Sequence, residues 1–346
     1  MAISYYVEDE FTGEIVKLGE LRDGEKLEVT RDLTKNQRDF LKNKRNKESL
    51  TKSLGGFITM FYCNNKKLYE ESCVSKATIT RLMLLATYLD YNNNLVMEKN
   101  DDNNNKINEL EHDELMEKSD LQRVLGLKYD IFRKFFIEAT KSNILIQDGK
   151  NFKLNIDYFY KGELNNNIEK NYIRVYISTI RKIYDGMSPS KHNLLSYIFQ
   201  LIPCIHYSTN YICKNVSCSY NDIEYMNLCD ICEFLNLSTD RKAMSKFKKQ
   251  IKSLLIEHNG IKYYLMNEVV YSNGKKSKQR FVINPLLVTS MSNHDEMKEM
   301  IKSLFIMEWE KLCRLCDTFY FILLKCLLFF KNYGKNVYFF SRSKCR

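Results

Sequence analysis

A chain whose distant segments repeat one another has to solve the same folding problem twice, and that constrains this sequence more than any motif in it. Slid against itself by 110 positions, it lays DLQRVLGL (120–127) on DICEFLNL (230–237). Asp120 falls on Asp230, Leu121 on Ile231, Val124 on Phe234, Leu125 on Leu235 and Leu127 on Leu237. The same shift sets Leu84 and Leu85 on Leu194 and Leu195, Asp130 on Asp240, and Ile144 and Leu145 on Leu254 and Leu255. One gapless offset that aligns three separated segments points to an internal duplication. With 346 residues there is chain enough for two domains of ordinary size.

Each copy reads the same way. A first helix comes from RLMLLATYLDY (81–91) or HNLLSYIFQLI (192–202), and a polar or strand-like stretch follows. Next comes a short helix, 120–126 or 229–235, in which Gly126 or Asn236 stands where a left-handed turn residue is wanted. A longer helix then begins. In copy two Ser238 or Thr239 is its N-cap, and over 240–255 Ala243, Met244, Phe247, Ile251, Leu254 and Leu255 form an apolar stripe. In copy one Phe132, Phe135, Phe136 and Ala139 form it. Short helix, tight turn and longer one-faced helix make a helix-turn-helix.

A hairpin closes each copy. ILIQDGKNFKLNI (144–156) alternates around Asp148-Gly149, and KYYLMNEVVYSNGKKSKQRFVINPLL (262–287) around Asn273-Gly274. The expected fold is therefore mainly α with small β-hairpins (α+β): tandem winged-helix domains with an α-helical C-terminal tail. The expected divisions are an N-terminal hairpin and basic arm (1–52), winged helix 1 (53–162), a linker (163–172), winged helix 2 (173–290) and the helical tail (291–346). Within the first of these, EDEFTGEIVKL (8–18) reads as a small hairpin. KNQRDFLKNKRNKESLTK (35–52) reads as either an arm along DNA or a solvated linker. The tail, with the single Trp309 and a helical run over 294–332, reads as a homodimer or partner surface.

The net charge is +10, but Lys outnumbers Arg 39 to 14 and there are 33 Asn, the vocabulary of an AT-rich genome. Charge is informative only where it concentrates. Residues 238–284 hold eleven Lys or Arg against three acids; residues 119–162 hold eight against five, and 1–50 ten against eleven. Most of the excess thus lies on one long helix and its wing. Duplex DNA rewards that placement, because a helix enters the major groove while Lys and Arg neutralise phosphates and release counterions. The residues expected to touch DNA are Lys128, Tyr129, Arg133, Lys134 and Lys150 in copy one. In copy two they are Thr239, Arg241, Lys242, Ser245, Lys246 and Lys249, with Lys275, Lys276, Lys278 and Arg280 on the wing. A transcriptional regulator and a protein-binding scaffold would use the same modules.

FKLNIDYFYKGEL (152–164) and FVINPLLV (281–288) resemble the closing wing strand of winged-helix replication initiator (Rep) proteins of low-GC Gram-positive plasmids and phages. In them an Asn-Pro-type corner follows the second wing strand. TGEIV (12–16) and LGGFITMF (54–61) are also similar to that group. The resemblance spans residues 8–164, with copy two looser, and copy one has Ile156 where Pro is common. It implies an initiator that binds repeated origin sites in double-stranded DNA, helps melt AT-rich DNA and recruits host helicase and primase. Two readers on one chain raise the effective concentration of each on adjacent half-sites.

Catalytic patterns are few. There is no G-x-x-x-x-G-K-[ST], since Val269 stands where the upstream Gly would be, and the five His form neither H-x-H nor H-E-x-x-H. A non-enzymatic protein without cofactor or metal is expected. The pairs Cys229/Cys232 and Cys313/Cys316 are too far apart for a usual zinc site and read as helical i, i+3 positions. The start, MAISYYVEDEFTGE, lacks a secretory pattern, which leads to the expectation of a cytoplasmic chain with reduced cysteines. The apolar run FYFILLKCLLFF (319–330) is short for a bilayer span and contains Lys325, so no membrane partner is expected.

Overall fold

The computed structural model describes residues 3–8, 15–21, 34–71, 74–97, 114–162, 171–273, 276–289, 291, 294–307 and 338–339. The protein is α+β, with helices and small antiparallel sheets, in two compact units, Met1–Arg45 and Asn46–Arg346. The first unit pairs β1 (Ile3–Glu8) with β2 (Ile15–Leu21) and contains the start of α1 (Lys35–Ser53). The basic stretch 35–52 is a helix. Thr34 and Gln37 explain why: Gln37 N–H donates to Thr34 Oγ1 (3.3 Å) and Thr34 N–H to Gln37 Oε1 (2.9 Å), a closed capping box.

In the second unit, copy one runs β3 (Phe57–Phe61), α2 (Tyr62–Glu70), α3 (Lys76–Ala86), β4 (Val96–Met97), β5 (Glu114–Leu115), α4 (Lys118–Val124), α5 (Tyr129–Lys141), β6 (Leu145–Asp148), β7 (Asn151–Leu154) and β8 (Phe159–Tyr160). Copy two runs β9 (Tyr172–Tyr176), α6 (Ile177–Asp185), α7 (His192–Leu201), α8 (Leu228–Phe234), α9 (Arg241–Lys252), β10 (Leu255–His258), β11 (Ile261–Tyr264), β12 (Met266–Asn273), β13 (Lys276–Ile283) and β14 (Val288–Thr289). After it come α10 (His294–Leu304) and β15 (Tyr338–Phe339), which pairs with β12. The rest of the expected tail helix, Trp309 and the run 319–330 lie outside the described residues.

The copies are not beads on a linker. Residues 163–170 lie outside the described residues, and Tyr172–Tyr176 is already strand β9. The central sheet has the order β14-β9-β3-β8, so its middle pair takes one strand from each copy. Phe57 faces Tyr176, Thr59 faces Arg174 and Phe61 faces Tyr172. Hydrogen bonds come in twins about the Thr59/Arg174 pair. Tyr62 N–H reaches Asn171 O (3.0 Å) as Ile177 N–H reaches Gly56 O (3.2 Å), and Phe61 N–H reaches Tyr158 O (3.2 Å) as Tyr176 N–H reaches Leu287 O (3.0 Å). A local two-fold therefore relates the copies. Aromatic and β-branched residues in FITMF and YIRVY suit this sheet. Helix α3 packs beside α7, and every residue from Thr78 to Ala86 is buried, the polar Thr78, Thr80 and Arg81 included. One apolar core runs through both copies. At the entry to β3, Gly55 has φ +71°, and a Cβ there would sit 2.2 Å from Ser178 Oγ.

The repeat is real in the fold but not gapless. The offset is 110 at α4 and α8, just after the bond from Met116 N–H to Leu95 O that Met226 N–H repeats with Ile212 O; it is 112 over α5 and α9, and 110 again at the start of the hairpins. It is 115 between β3-α2 and β9-α6, and 116 between the bridge residues Leu89 and Ile205. Leu84 and Leu85 therefore do not correspond to Leu194 and Leu195. Nor does Asp130 correspond to Asp240. The N-caps of α5 and α9 are Lys128 and Asp240, because the turn before α9 is two residues longer. Asp240, rather than Ser238 or Thr239, caps α9: its Oδ1 accepts from Lys242 N–H (2.8 Å) and Ala243 N–H (2.9 Å).

The hairpins are also corrected. In copy one Asp148 pairs with Asn151, so the turn is Gly149-Lys150. In copy two the counterpart is β10-β11, turning at Asn259-Gly260, both at positive φ (52° and 75°) as a primed turn needs. The pair β12-β13, read from sequence as the wing, is additional. Copy one's corner at Asn155 matches Asn284, an offset of 129 instead of 110, so copy two carries nineteen inserted residues. At each corner the Asn side chain accepts a backbone N–H two residues on, from Asp157 (3.0 Å) or Leu286 (2.9 Å). Among the described residues no helix is long and apolar enough to cross a membrane.

Candidate nucleic-acid interface

Two short helices set up the site. The Asp120 carboxylate accepts from Glu117 N–H (2.9 Å) and that of Asp230 from Asn227 N–H (2.9 Å), capping α4 and α8 in the same way. Both helices end on a left-handed residue, Gly126 (φ 60°) or Asn236 (φ 53°). Leu127 N–H returns to Gln122 O (3.3 Å) and Leu237 N–H to Cys232 O (2.8 Å), the six-to-one bond of a Schellman ending. These turns aim α5 and α9.

Helix α5 buries Phe132, Phe135 and Ala139. Its other side exposes Tyr129, Arg133, Lys134 and Ile137, with Lys128 exposed at the N-cap and Lys150 exposed at the hairpin turn. Its acids divide. Asp130 is exposed, whereas Glu138 accepts from Ser75 Oγ (2.9 Å) and Thr78 Oγ1 (2.6 Å) at the start of α3. Helix α9 buries Phe247 and Ile251 and exposes Arg241, Lys242, Ser245, Lys246 and Lys249, with Thr239 exposed just before it. Among the described residues no ion pair within 4 Å engages Arg241, Lys242, Lys246 or Lys249. Lys248, by contrast, turns inward to pair with Glu268 of β12. The Asp240 carboxyl lies below its usual range because the Ser238 hydroxyl and the backbone N–H groups of Ala243 and Lys242 bond its charged form. The acid nearest the lysine face is thus committed to the helix end.

The residues of the β12-β13 hairpin fare differently. Lys278 is exposed on β13. Lys276 is also on β13, and Lys275 lies outside the described residues. Arg280 is half-buried with its guanidinium 3.7 Å from the centre of the Tyr225 ring, so it packs against the fold.

Sequence reasoning missed how the two helix pairs are held. Tyr184 of α6 donates its hydroxyl to Leu125 O in copy one (2.9 Å), and Lys76 of α3 reaches Leu235 O in copy two (3.4 Å) while lying over the Tyr197 ring. Each helix-turn-helix turn is bonded by a donor from the other copy. Burial pushes the Tyr184 hydroxyl up to about 12, with Arg81 opposing, so it stays a donor at neutral pH. No local motif marks such pairs, since their partners lie 59 and 159 positions apart.

Cys229 and Cys232 both lie on α8. The Cys229 thiol is raised by its bond to Glu233 and that of Cys232 by burial, which disfavours thiolate in both. Cys313 and Cys316 lie outside the described residues. Among the described residues no three His, Cys, Asp or Glu are grouped to hold a metal ion. No family model matches this sequence, and no curated protein or solved structure matches it.

Proposed function

We propose that this is a duplex-DNA-binding protein of two winged-helix modules fused about a local two-fold, acting without catalysis of its own. More narrowly, we propose a plasmid or phage replication initiator, a role carried by the resemblance of its wing corners to Rep proteins. The observation that supports DNA binding is the outward face of α9. Arg241, Lys242, Lys246 and Lys249 are exposed on a helix that follows a tight turn, with Lys278 exposed on the neighbouring hairpin. A cationic ridge on a one-faced helix fits the major groove and its flanking phosphates. Because a two-fold relates the copies, α5 and α9 read half-sites in inverted orientation, and their different residues make those half-sites unequal.

Fluorescence anisotropy with a labelled duplex at several salt concentrations tests this. The affinity should fall steeply with salt, and Lys242→Glu with Lys246→Glu and Lys249→Glu should weaken binding at least a hundredfold. Binding that is absent, or that ignores both salt and the reversal, would refute the proposal. Protection of iterated sites at an origin carries the initiator role; protection of a promoter operator alone overturns it in favour of a regulator.

A further inference from the structure

The two outward helix faces are chemically unlike, and we infer that they divide the work: α5 discriminates base sequence while α9 grips backbone charge. The inference rests on the duplex-binding reading above. Aligned by their N-caps, Lys128 and Asp240, the helices superpose their buried positions, Phe135 on Phe247 and Ala139 on Ile251. Five outward positions then pair: Tyr129 with Arg241, Asp130 with Lys242, Arg133 with Ser245, Lys134 with Lys246 and Ile137 with Lys249. All ten are exposed.

On α9 the set is an arginine in the first turn, three lysines and a serine. An ammonium is a compact point charge, and it is satisfied by phosphate oxygens whatever base pair lies beneath. On α5 the set is a tyrosine and a lysine together with a carboxylate, a guanidinium and an isoleucine. The last three are the groups that tell base edges apart: a carboxylate accepts from cytosine N4, a guanidinium forks onto guanine O6 and N7, and an apolar side chain meets the thymine methyl. Asp130 would also repel phosphates, which counts against α5 as a backbone grip. Ile137 is 53% exposed although it stands in the middle of the outward face, so the core does not account for it.

The test uses the full chain and a pool of random-sequence duplexes, from which wild type enriches a preferred duplex. Affinity is then measured for the pool and for the enriched duplex across salt. Arg133→Lys with Ile137→Ala keeps the net charge. It should lower affinity for the enriched duplex at least tenfold more than affinity for the pool. Lys242→Gln with Lys246→Gln and Lys249→Gln should weaken both duplexes together and reduce the slope of log affinity against log salt by about 2.7, with the preference retained. Unchanged preference in the α5 variant, or its loss in the α9 variant, overturns the division while leaving duplex binding standing. A wild type that shows no salt-dependent binding to the pool ends the duplex-binding reading itself.

Discussion

Asn93 offers the sharpest test of the two-fold architecture. It is buried at φ 63°, and its Nδ2 donates to Leu154 O (3.0 Å) and Phe159 O (2.8 Å), tying the loop after α3 to both ends of the Asn155 corner. Asn210, at φ 56°, repeats this in copy two, donating to Ile283 O (3.2 Å) and Val288 O (2.7 Å). Alanine at either site loses two buried hydrogen bonds, about 1 kcal/mol each and somewhat more where a carbonyl is left unsatisfied. It also holds a Cβ in the left-handed region without the local bonding Asn provides, about 1 kcal/mol more. Asn93→Ala and Asn210→Ala should each cost about 3–4 kcal/mol. Asn143 supplies the control: it too has φ near 55° but is exposed, so Asn143→Ala should cost only the backbone part, about 1 kcal/mol. Urea unfolding at constant m-value reads all three. If Asn93→Ala and Asn143→Ala fall within about 0.5 kcal/mol of each other, the buried amide is not holding the corner.

Two further outcomes follow from buried charge. His192 is buried against Tyr184, with ring centres 4.0 Å apart and Nε2 3.2 Å from Met187 O; burial lowers its pKa, and the nearby Arg81 charge pulls the same way. The unfolded chain then takes up the proton first as pH falls. Stability should hold above about pH 6.5 and decline as pH drops below it toward the folded value. His192→Gln should flatten that decline in melting temperature between neutral pH and pH 5, and an equal slope in the variant would refute the assignment. His258, also lowered by burial, acts in the same direction, so single variants are compared. Lys248→Ala should destabilise by about 3 kcal/mol, because it strands the Glu268 carboxylate, whose Oε1 is already buried without a partner. Lys248→Met with Glu268→Gln should recover most of that loss in urea unfolding, and no recovery would show that packing rather than charge is at stake.

Much of the local architecture was legible because its causes are local. The apolar stripes of α5 and α9 and the left-handed residues Gly126 and Asn236 each act within one or two turns. What stayed hidden acts across the chain. The α3-α7 contact, the β3-β9 pair and the bonds from Tyr184 and Lys76 join segments more than fifty positions apart, and nothing in either segment names its partner. The misreadings have the same origin. Leu84 on Leu194 is an apolar coincidence that only backbone pairing could reject. The β12-β13 hairpin looked like the wing because it is longer and more basic than β10-β11. In the candidate interface, exposure of the α9 lysines followed from helical period, whereas the stacking of Arg280 on Tyr225 depended on a fold not yet known.

Fusing the copies also changes what symmetry demands. In a homodimer one sequence must serve at both positions on the axis and on both outward helices. Here the axis passes between Thr59 and Arg174, which no homodimer could place opposite each other. Arg174 lies over the Phe57 ring, 4.9 Å away, so the larger side chain is accommodated on one side of the axis only. The same freedom extends outward. The two-fold bonds fix the backbones of β3, β9 and the corners at Asn155 and Asn284, and place no condition on the exposed faces of α5 and α9. Copy two can therefore accumulate lysines and a nineteen-residue hairpin insertion while copy one keeps Asp130, Arg133 and Ile137. The central sheet holds both outward helices in one frame, and that frame lets them differ.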